Sequence, residues 1–144
     1  MDEFSCQWVI NDGELEAAFE VRRRVFVGEQ GISEDEELDN LDKEALHMVA
    51  KDGDIVIGTA RVLFLTGNQA KLERMAILKP YRRRGIGGRI IAFVSEELSK
   101  KQVEQVILHA QYEVTAFYKS CGFEESGPIF WEAGIKHIKM QRRL

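Results

Sequence analysis

Apolar residues recur at helical spacing in two long parts of the chain. One such face carries Leu15, Ala18, Phe19, Arg22 and Phe26. The other carries Ile86, Ile90, Ile91, Phe93, Val94 and Leu98. With the capping residues at 11–13, this spacing predicts helices over residues 14–27 and 85–101. A shorter helix is predicted over residues 114–120, closed by Gly122 as a left-handed cap.

Runs of apolar and β-branched residues between turn residues predict the strands. They cover residues 8–10, 47–51, 55–65, 71–78 and 103–109, with last strands from Phe123 and residues 135–140. Asp52-Gly53-Asp54 is a hairpin signal, and the apolar run after the long second helix is typical of a buried parallel strand. The order predicts one α/β domain over residues 1–144, with a mixed sheet whose first half is antiparallel.

Composition narrows the class of protein. The 144 residues are 44% hydrophobic and 31% charged, which excludes a disordered or fibrous chain. No window resembles a membrane span, and the acidic start does not resemble a signal peptide. Cys6 and Cys121 are too few for a disulfide framework or a four-cysteine zinc site, and His47, His109 and His137 are not spaced as metal ligands. We therefore expect a cytoplasmic protein without a membrane anchor or bound metal.

Charge is unevenly distributed along the chain. Eight acidic residues accompany a single lysine in the segment that holds Glu29, Glu34, Asp35, Glu36, Glu37, Asp39, Asp42 and Glu44. Residues 82–84 instead form a compact basic cluster. Both segments are also typical of solvated loops. Because the net charge is -4, a nucleic-acid-binding function resting on residues 22–24 and 82–84 is disfavoured.

A glycine-rich entry into the second long helix is the sharpest chemical signal. Gly85, Gly87 and Gly88 lack Cβ atoms, and the first N–H groups of a helix are unpaired at the positive end of its dipole. This arrangement suits a pyrophosphate, although close packing of the helix on a sheet would use the same glycines. The nucleotide-binding P-loop pattern is absent, and the third glycine of a dinucleotide fingerprint would fall at Ile90.

Two motifs resemble those of the GNAT acetyltransferase superfamily. Arg82-x-x-Gly85-x-Gly87 after Pro80-Tyr81 resembles its acetyl-coenzyme A signature, and residues 116–123 (AFYKSCGF) resemble its late motif. The resemblance covers nearly the whole chain. Residues 25–31, 37–39 and 132–137, with His47, are similar to a bacterial YjcF-like branch.

The resemblance implies a cofactor site. The strand holding Met75, Ala76 and Ile77 would splay from the strand that ends at Gln111, so that its free backbone groups bond the pantetheine arm. Backbone N–H groups of residues 83–88, which are Arg83, Arg84, Gly85, Ile86, Gly87 and Gly88, would hold the pyrophosphate. The side chains of Arg82, Arg83 and Arg84 would lie near the 3′-phosphate. Gln111, where the family often has Asn, would place its amide on the cofactor arm.

The resemblance also implies catalytic roles. Tyr118 would give its proton to the departing thiolate, and a backbone N–H near Met75 or Ala76 would polarise the thioester carbonyl. Glu73 is the first choice for the base. The alternatives are a core tyrosine and an ion-paired sheet carboxylate, and Cys121 lacks a neighbouring base that would make it a nucleophile.

These observations predict an acetyl-CoA-dependent N-acyltransferase that works by direct transfer in a ternary complex. The expected acceptor is a primary amine, on a small cationic molecule or a peptide, which the acidic segment would attract. A noncatalytic acyl-CoA binding or sensing module is the alternative, and a homodimer is left open.

Overall fold

Seven strands form one mixed sheet in the computed structural model, which describes residues 3–144; the acidic start at Met1 and Asp2 lies outside the described residues. The strands are β1 (Phe4–Trp8), β2 (Leu46–Asp52), β3 (Ile55–Leu65), β4 (Gln69–Ile77), β5 (Gln105–Gln111), β6 (Glu124–Glu132) and β7 (Ile135–Arg143). Their order is β1-β2-β3-β4-β5-β7-β6, and only the β4–β5 pair is parallel. This confirms the predicted α/β fold with an antiparallel first half.

Helices cover both faces of the first part of the sheet. They are α1 (Asp12–Arg22), continued by a π-helical segment (Arg23–Glu29), α2 (Glu34–Glu37), α3 (Ile86–Lys100) and α4 (Thr115–Ser120). Short 3₁₀ turns cover Asn40–Lys43, Lys79–Tyr81 and Tyr112–Val114. The predicted apolar face of α3 is buried, and its half-buried Phe93 packs against Trp8.

The two faces of the sheet have different chemistry. Alternate residues of β5 are buried, and the buried set (Val106, Leu108, Ala110) joins the main core with α3. The opposite face becomes polar towards the end of β5, where His109 and Gln111 alternate with that set. On this second face α1 covers β2 to β4, where Val21, Val25, Phe26 and Ala76 form a smaller core.

Several element boundaries differ from those predicted. β1 overlaps the predicted residues 8–10 only at Trp8, because Val9 and Ile10 lead into the Asn11 cap of α1. The first helix continues past Gly28, because Gln30 N–H donates to the Val25 carbonyl five residues earlier (3.1 Å) and so extends a π-type turn. The sequence pattern predicts a strand at Phe123 but not the length of β6, which begins at the next residue. Gly127 and Pro128 lie inside it, at a register shift on the edge of the sheet where a missing N–H costs no ladder bond.

β4 and β5 diverge after a short paired stretch. They pair only over three positions, from Gln69 with Gln105 to Lys71 with Ile107. Further along, β4 keeps its pairing with β3, and β5 keeps its pairing with β7. The splay predicted between these strands is therefore confirmed, and it opens a cleft in the middle of the sheet.

The described residues contain three further features that bear on function. Cys6 and Cys121 are free thiols. Within residues 3–144, no group of three or more His, Cys, Asp or Glu side chains is arranged to hold a metal ion. None of the helices in that range is long and apolar enough to cross a membrane.

Candidate active site

The cleft between β4 and β5 opens into a cavity of about 650 Å³. One end is formed by the start of α3, and the middle by the free edge of β4 and by α4. The other end is formed by the polar face of the sheet, with Lys71, Glu73, His109, Glu132 and His137. All of the predicted site residues except Arg84 line this cavity.

The start of α3 presents free backbone donors to the cavity. Gly85 precedes the helix at φ +80°, a left-handed conformation that favours glycine, and no side chain caps the helix there. The first backbone bond of the helix runs from Arg89 N–H to the Gly85 carbonyl (3.2 Å). The N–H groups of Ile86, Gly87 and Gly88 therefore have no partner within the helix and are available to an anion.

Gly87 and Gly88 have different reasons to lack a side chain. A Cβ atom at Gly87 would lie 2.9 Å from the ring of Phe117, so this glycine permits α3 and α4 to pack closely. A Cβ at Gly88 would meet nothing within 4 Å. Close packing therefore explains Gly87, whereas the open space at Gly88 is compatible with a bound anion. Of these two glycines, only Gly88 can be substituted without disturbing its neighbours.

The three consecutive arginines make different contacts. Arg82 binds both oxygens of Glu29 (2.8 and 2.9 Å), and its Nε donates to the Ile77 carbonyl (2.8 Å). Arg84 lies over the rings of Phe4 and Tyr81. Arg83 is exposed, lines the cavity and has no hydrogen bond or ion pair within residues 3–144. Arg83 is therefore the one arginine of the three that lines the cavity with a side chain lacking a partner within residues 3–144.

The edge of β4 that faces the cleft carries backbone groups that no neighbouring strand pairs, although the Ile77 carbonyl accepts from Arg82 Nε. Leu78 N–H bonds to the Ile57 carbonyl of β3 (2.9 Å), and bonding groups alternate along a strand, so those of Ala76 also face β3 and those of Ile77 face the cleft. Arg74 at φ +55° and Met75 together oppose Ala60, which makes a bulge. Of the two N–H groups expected to polarise a carbonyl, Ala76 is therefore turned towards β3, which leaves that of Met75.

Tyr118 presents a free hydroxyl to the cavity. Its ring is held edge-on between Phe117 (5.1 Å) and Phe123 (6.0 Å). Within residues 3–144 the hydroxyl has no hydrogen-bond partner. Burial raises the pKa of Tyr118 to about 12, so the phenol stays protonated at neutral pH and is a proton donor there.

Glu73 lines the cavity, but both of its oxygens are already paired. Oε2 accepts from Arg61 Nε (2.9 Å), and Oε1 lies 2.8 Å from Lys71 Nζ. Burial raises the pKa of Glu73, but the hydrogen bonds from Lys71 and Arg61 outweigh it, and the pKa lies below its usual value. A carboxylate held in this way is a weak base, so the ion-paired alternative describes Glu73 better than the catalytic role.

Gln111 reaches across the mouth of the cleft. Its side-chain Nε2 donates to Gln30 Oε1 (2.8 Å), which links the end of β5 to the end of the first helix. The amide predicted to bind a cofactor arm therefore has a protein partner through Nε2, whereas its Oε1 makes no hydrogen bond within residues 3–144.

Much of the acidic segment is paired with arginines, although most of its carboxylates stay exposed. Five of its eight carboxylates pair with arginines, namely Glu29, Glu34, Glu37, Asp39 and Asp42. Arg22 and Arg61, each only 1% exposed, bind three of them. This pairing cancels much of the negative field that was expected to attract a cation. The sequence contained a signal for it, because Arg22 lies on the apolar face of the first helix.

Comparison with known proteins identifies the class of enzyme. Residues 14–144 match the family model described as an acetyltransferase (GNAT) domain. The chain therefore belongs to the GNAT acetyltransferase family and is an acyltransferase.

A relative agrees with this assignment, and solved structures share the fold, over nearly the whole chain. YjcF of Bacillus subtilis, described as an N-acetyltransferase, is 37% identical over 133 residues, which cover 92% of this chain and 94% of YjcF. An N-acetyltransferase structure from Lactobacillus plantarum superposes with a TM-score of 0.92 at 24% identity, covering 98% of each chain. A GNAT acetyltransferase of Elizabethkingia anophelis, solved with acetyl-CoA bound, gives 0.73 at 13% identity and full coverage of both chains. The resemblance to the GNAT superfamily and its YjcF-like branch is confirmed.

Proposed function

We propose that this chain transfers the acetyl group of acetyl-CoA to a primary amine, on a small cationic molecule or a peptide, by direct transfer in a ternary complex. The observation that carries the proposal is one cavity that joins free helix N–H groups, a strand edge that no neighbouring strand pairs and the free hydroxyl of Tyr118. An anion, an extended amide arm and a leaving thiolate need these three features respectively. The two free cysteines favour a reducing, cytoplasmic location.

The cofactor would lie along the cavity from α3 towards the polar face of the sheet. The N–H groups of Ile86, Gly87 and Gly88 would bind the pyrophosphate, with those of residues 83–85 beside them, and the Arg83 side chain would meet the remaining phosphate. The edge of β4 around Met75 would bond the pantetheine arm together with the N–H of Ile77, because Arg82 holds the Ile77 carbonyl.

The chemistry needs a polarised carbonyl and a proton for sulfur. Met75 N–H, in the bulge of β4, would donate to the carbonyl oxygen as charge develops on it. Tyr118 would give its proton to the sulfur as the carbon–sulfur bond breaks, because a phenol with a raised pKa is fully protonated when the thiolate forms. Since Arg61 and Lys71 pair with the two oxygens of Glu73, we assign this carboxylate a structural role at the end of the cavity.

Gly88→Glu is expected to weaken acetyl-CoA binding about 100-fold, close to 2.7 kcal/mol. A carboxylate at the start of α3 would repel the pyrophosphate and occupy its place, and the open space around Gly88 lets it fit without disturbing the fold. Calorimetry with acetyl-CoA measures the change.

Ser99→Glu is the matched control, because it adds the same charge three turns further along α3. It should bind acetyl-CoA with almost unchanged affinity. Equal affinities of wild type and Gly88→Glu would mean that the cofactor does not bind at the start of α3.

A further inference from the structure

Two histidines and a glutamate come together on the half of the sheet that α1 leaves uncovered. His109 lies on β5, Glu132 on β6 and His137 on β7, and all three line the same cavity as Tyr118. Glu132 Oε1 is 3.2 Å from His109 Nδ1, and Glu132 Oε2 is 3.8 Å from His137 Nε2. The glutamate therefore lies between the two imidazoles.

The surroundings of His137 fix which of its nitrogens carries a proton. Nδ1 lies 2.7 Å from the carbonyl oxygen of Ile135, and a carbonyl can only accept, so Nδ1 is the donor. In the neutral ring Nε2 is then an acceptor. The ring is only 7% exposed and stacks on Phe130 (5.8 Å, 24° between planes), which holds Nε2 towards Glu132.

Two acceptors that face each other at 3.8 Å do not satisfy one another, because neither supplies a hydrogen. An ammonium group has three hydrogens and can lie within hydrogen-bond distance, about 2.9 Å, of both. Hydrogen bonding to His109 is the main cause that lowers the pKa of Glu132, which keeps the carboxylate charged. A primary ammonium beside these two atoms therefore donates a hydrogen bond to each of them.

We infer that His137 Nε2 and Glu132 Oε2 bind the amino nitrogen of the acceptor, and that His137 takes the proton which the ammonium must lose before it can attack. The inference rests on the proposed acetyl transfer and supplies the base that Glu73 cannot provide. His109 is a positioning residue, because it holds Glu132 Oε1 and does not need to touch the amine.

The protons balance over one turnover. The ammonium gives one proton to His137 Nε2, which returns it to solvent. The neutral amine then forms the carbon–nitrogen bond while the carbon–sulfur bond breaks, and Tyr118 protonates the sulfur. The second proton lost from nitrogen restores Tyr118 by way of solvent. The products are the amide, CoA with a free thiol, and one released proton.

NMR of the imidazole nitrogens tests the amine site without knowledge of the natural acceptor. The nitrogen-15-labelled protein, saturated with CoA, is titrated with n-butylammonium, with butanol as the uncharged control. We expect neutral His137 with its proton on Nδ1, and an Nε2 resonance that moves with the ammonium and not with butanol. The same titration should not shift the nitrogen resonances of His47, and Glu132→Gln should largely remove the shift at His137.

A proton already bound to His137 Nε2, as in an ion pair with Glu132, would overturn the inference. An Nε2 resonance that stays constant across the titration would overturn it too. CoA binding, measured first by calorimetry, separates the two claims. A chain that binds no CoA contradicts the proposed function, whereas one that binds CoA and leaves His137 unmoved contradicts the amine site alone.

Kinetics with any amine that is turned over provide the second test. His137→Asn keeps a donor for the Ile135 carbonyl and lacks Nε2, so kcat/KM for the amine should fall about 100-fold while the KM for acetyl-CoA is unchanged. His109→Asn, the matched control, should lose much less. Equal losses in the two variants, or less than about a tenfold loss in His137→Asn, would contradict the role of His137 as the base.

Discussion

Replacing Tyr118 by phenylalanine is expected to lower kcat about 100-fold or more while the affinity for acetyl-CoA is retained. The phenol makes no hydrogen bond within residues 3–144, so its removal leaves no buried partner unsatisfied and the ring can stay between Phe117 and Phe123. Only the departing thiolate needs the proton. Steady-state kinetics and calorimetry on the same preparation measure the two quantities.

The pKa of Tyr118 sets the pH dependence of this effect. Because burial raises it to about 12, the donor form is present at all pH values well below 12, and the penalty of Tyr118→Phe should be nearly constant from neutral to mildly alkaline pH. Tyr112→Phe is the control, since that ring is exposed beneath Lys136. Equal kcat values for Tyr118→Phe and wild type would assign Tyr118 to packing alone.

Replacing Arg61 by methionine is expected to lower the free energy of unfolding by about 3–5 kcal/mol, the range found when one partner of a buried ion pair is removed. Arg61 is fully buried and binds Asp39, Asp42 and Glu73. Without it, three carboxylates that face the same site repel each other. Urea unfolding at neutral pH measures the loss.

Arg23→Met is the matched control, because Arg23 also makes two ion pairs but lies at the surface with Glu16 and Glu34. Its loss should stay below about 1 kcal/mol. Burial raises the pKa values of Asp39, Asp42 and Glu73, but their pairing with cationic side chains outweighs it and lowers them overall. The stabilisation is therefore present above their unfolded pKa values and disappears as the pH falls through the folded ones. The difference between wild type and Arg61→Met should therefore shrink below about pH 4. Equal losses for both variants would contradict a buried network.

The sequence was most informative where one local pattern fixed the structure. The spacing of Ile86, Ile90, Val94 and Leu98 is enough to predict α3 and its buried face, because a helix repeats its face within a few residues. Gly85, Gly87 and Gly88 likewise predict the free start of α3, because they are close together in the sequence. The motif around Tyr118 placed the tyrosine on a short helix, where the structure has it facing the cavity.

Contacts between distant segments could not be predicted in this way. The residues around Glu73 in the sequence do not indicate that Arg61 will pair with its carboxylate, because the two side chains meet only through strand pairing. The acidic segment looked solvated because its arginine partners lie 11 or more residues away in the chain, as Arg23 and Glu34 do. His109, Glu132 and His137 appeared as isolated residues until the order β5-β7-β6 placed them side by side.

The most direct test of the proposed function is amine-dependent release of CoA thiol from acetyl-CoA, followed with a panel from small cationic amines to peptide amino groups. Acetyl transfer predicts thiol release that requires one class of amine, with an equal amount of acetylated amine seen by mass spectrometry. Tyr118→Phe should release thiol about 100-fold more slowly with that amine. Acetyl-CoA binding accompanied by no amine-dependent thiol release across the panel would contradict the account and favour a noncatalytic acyl-CoA binding module.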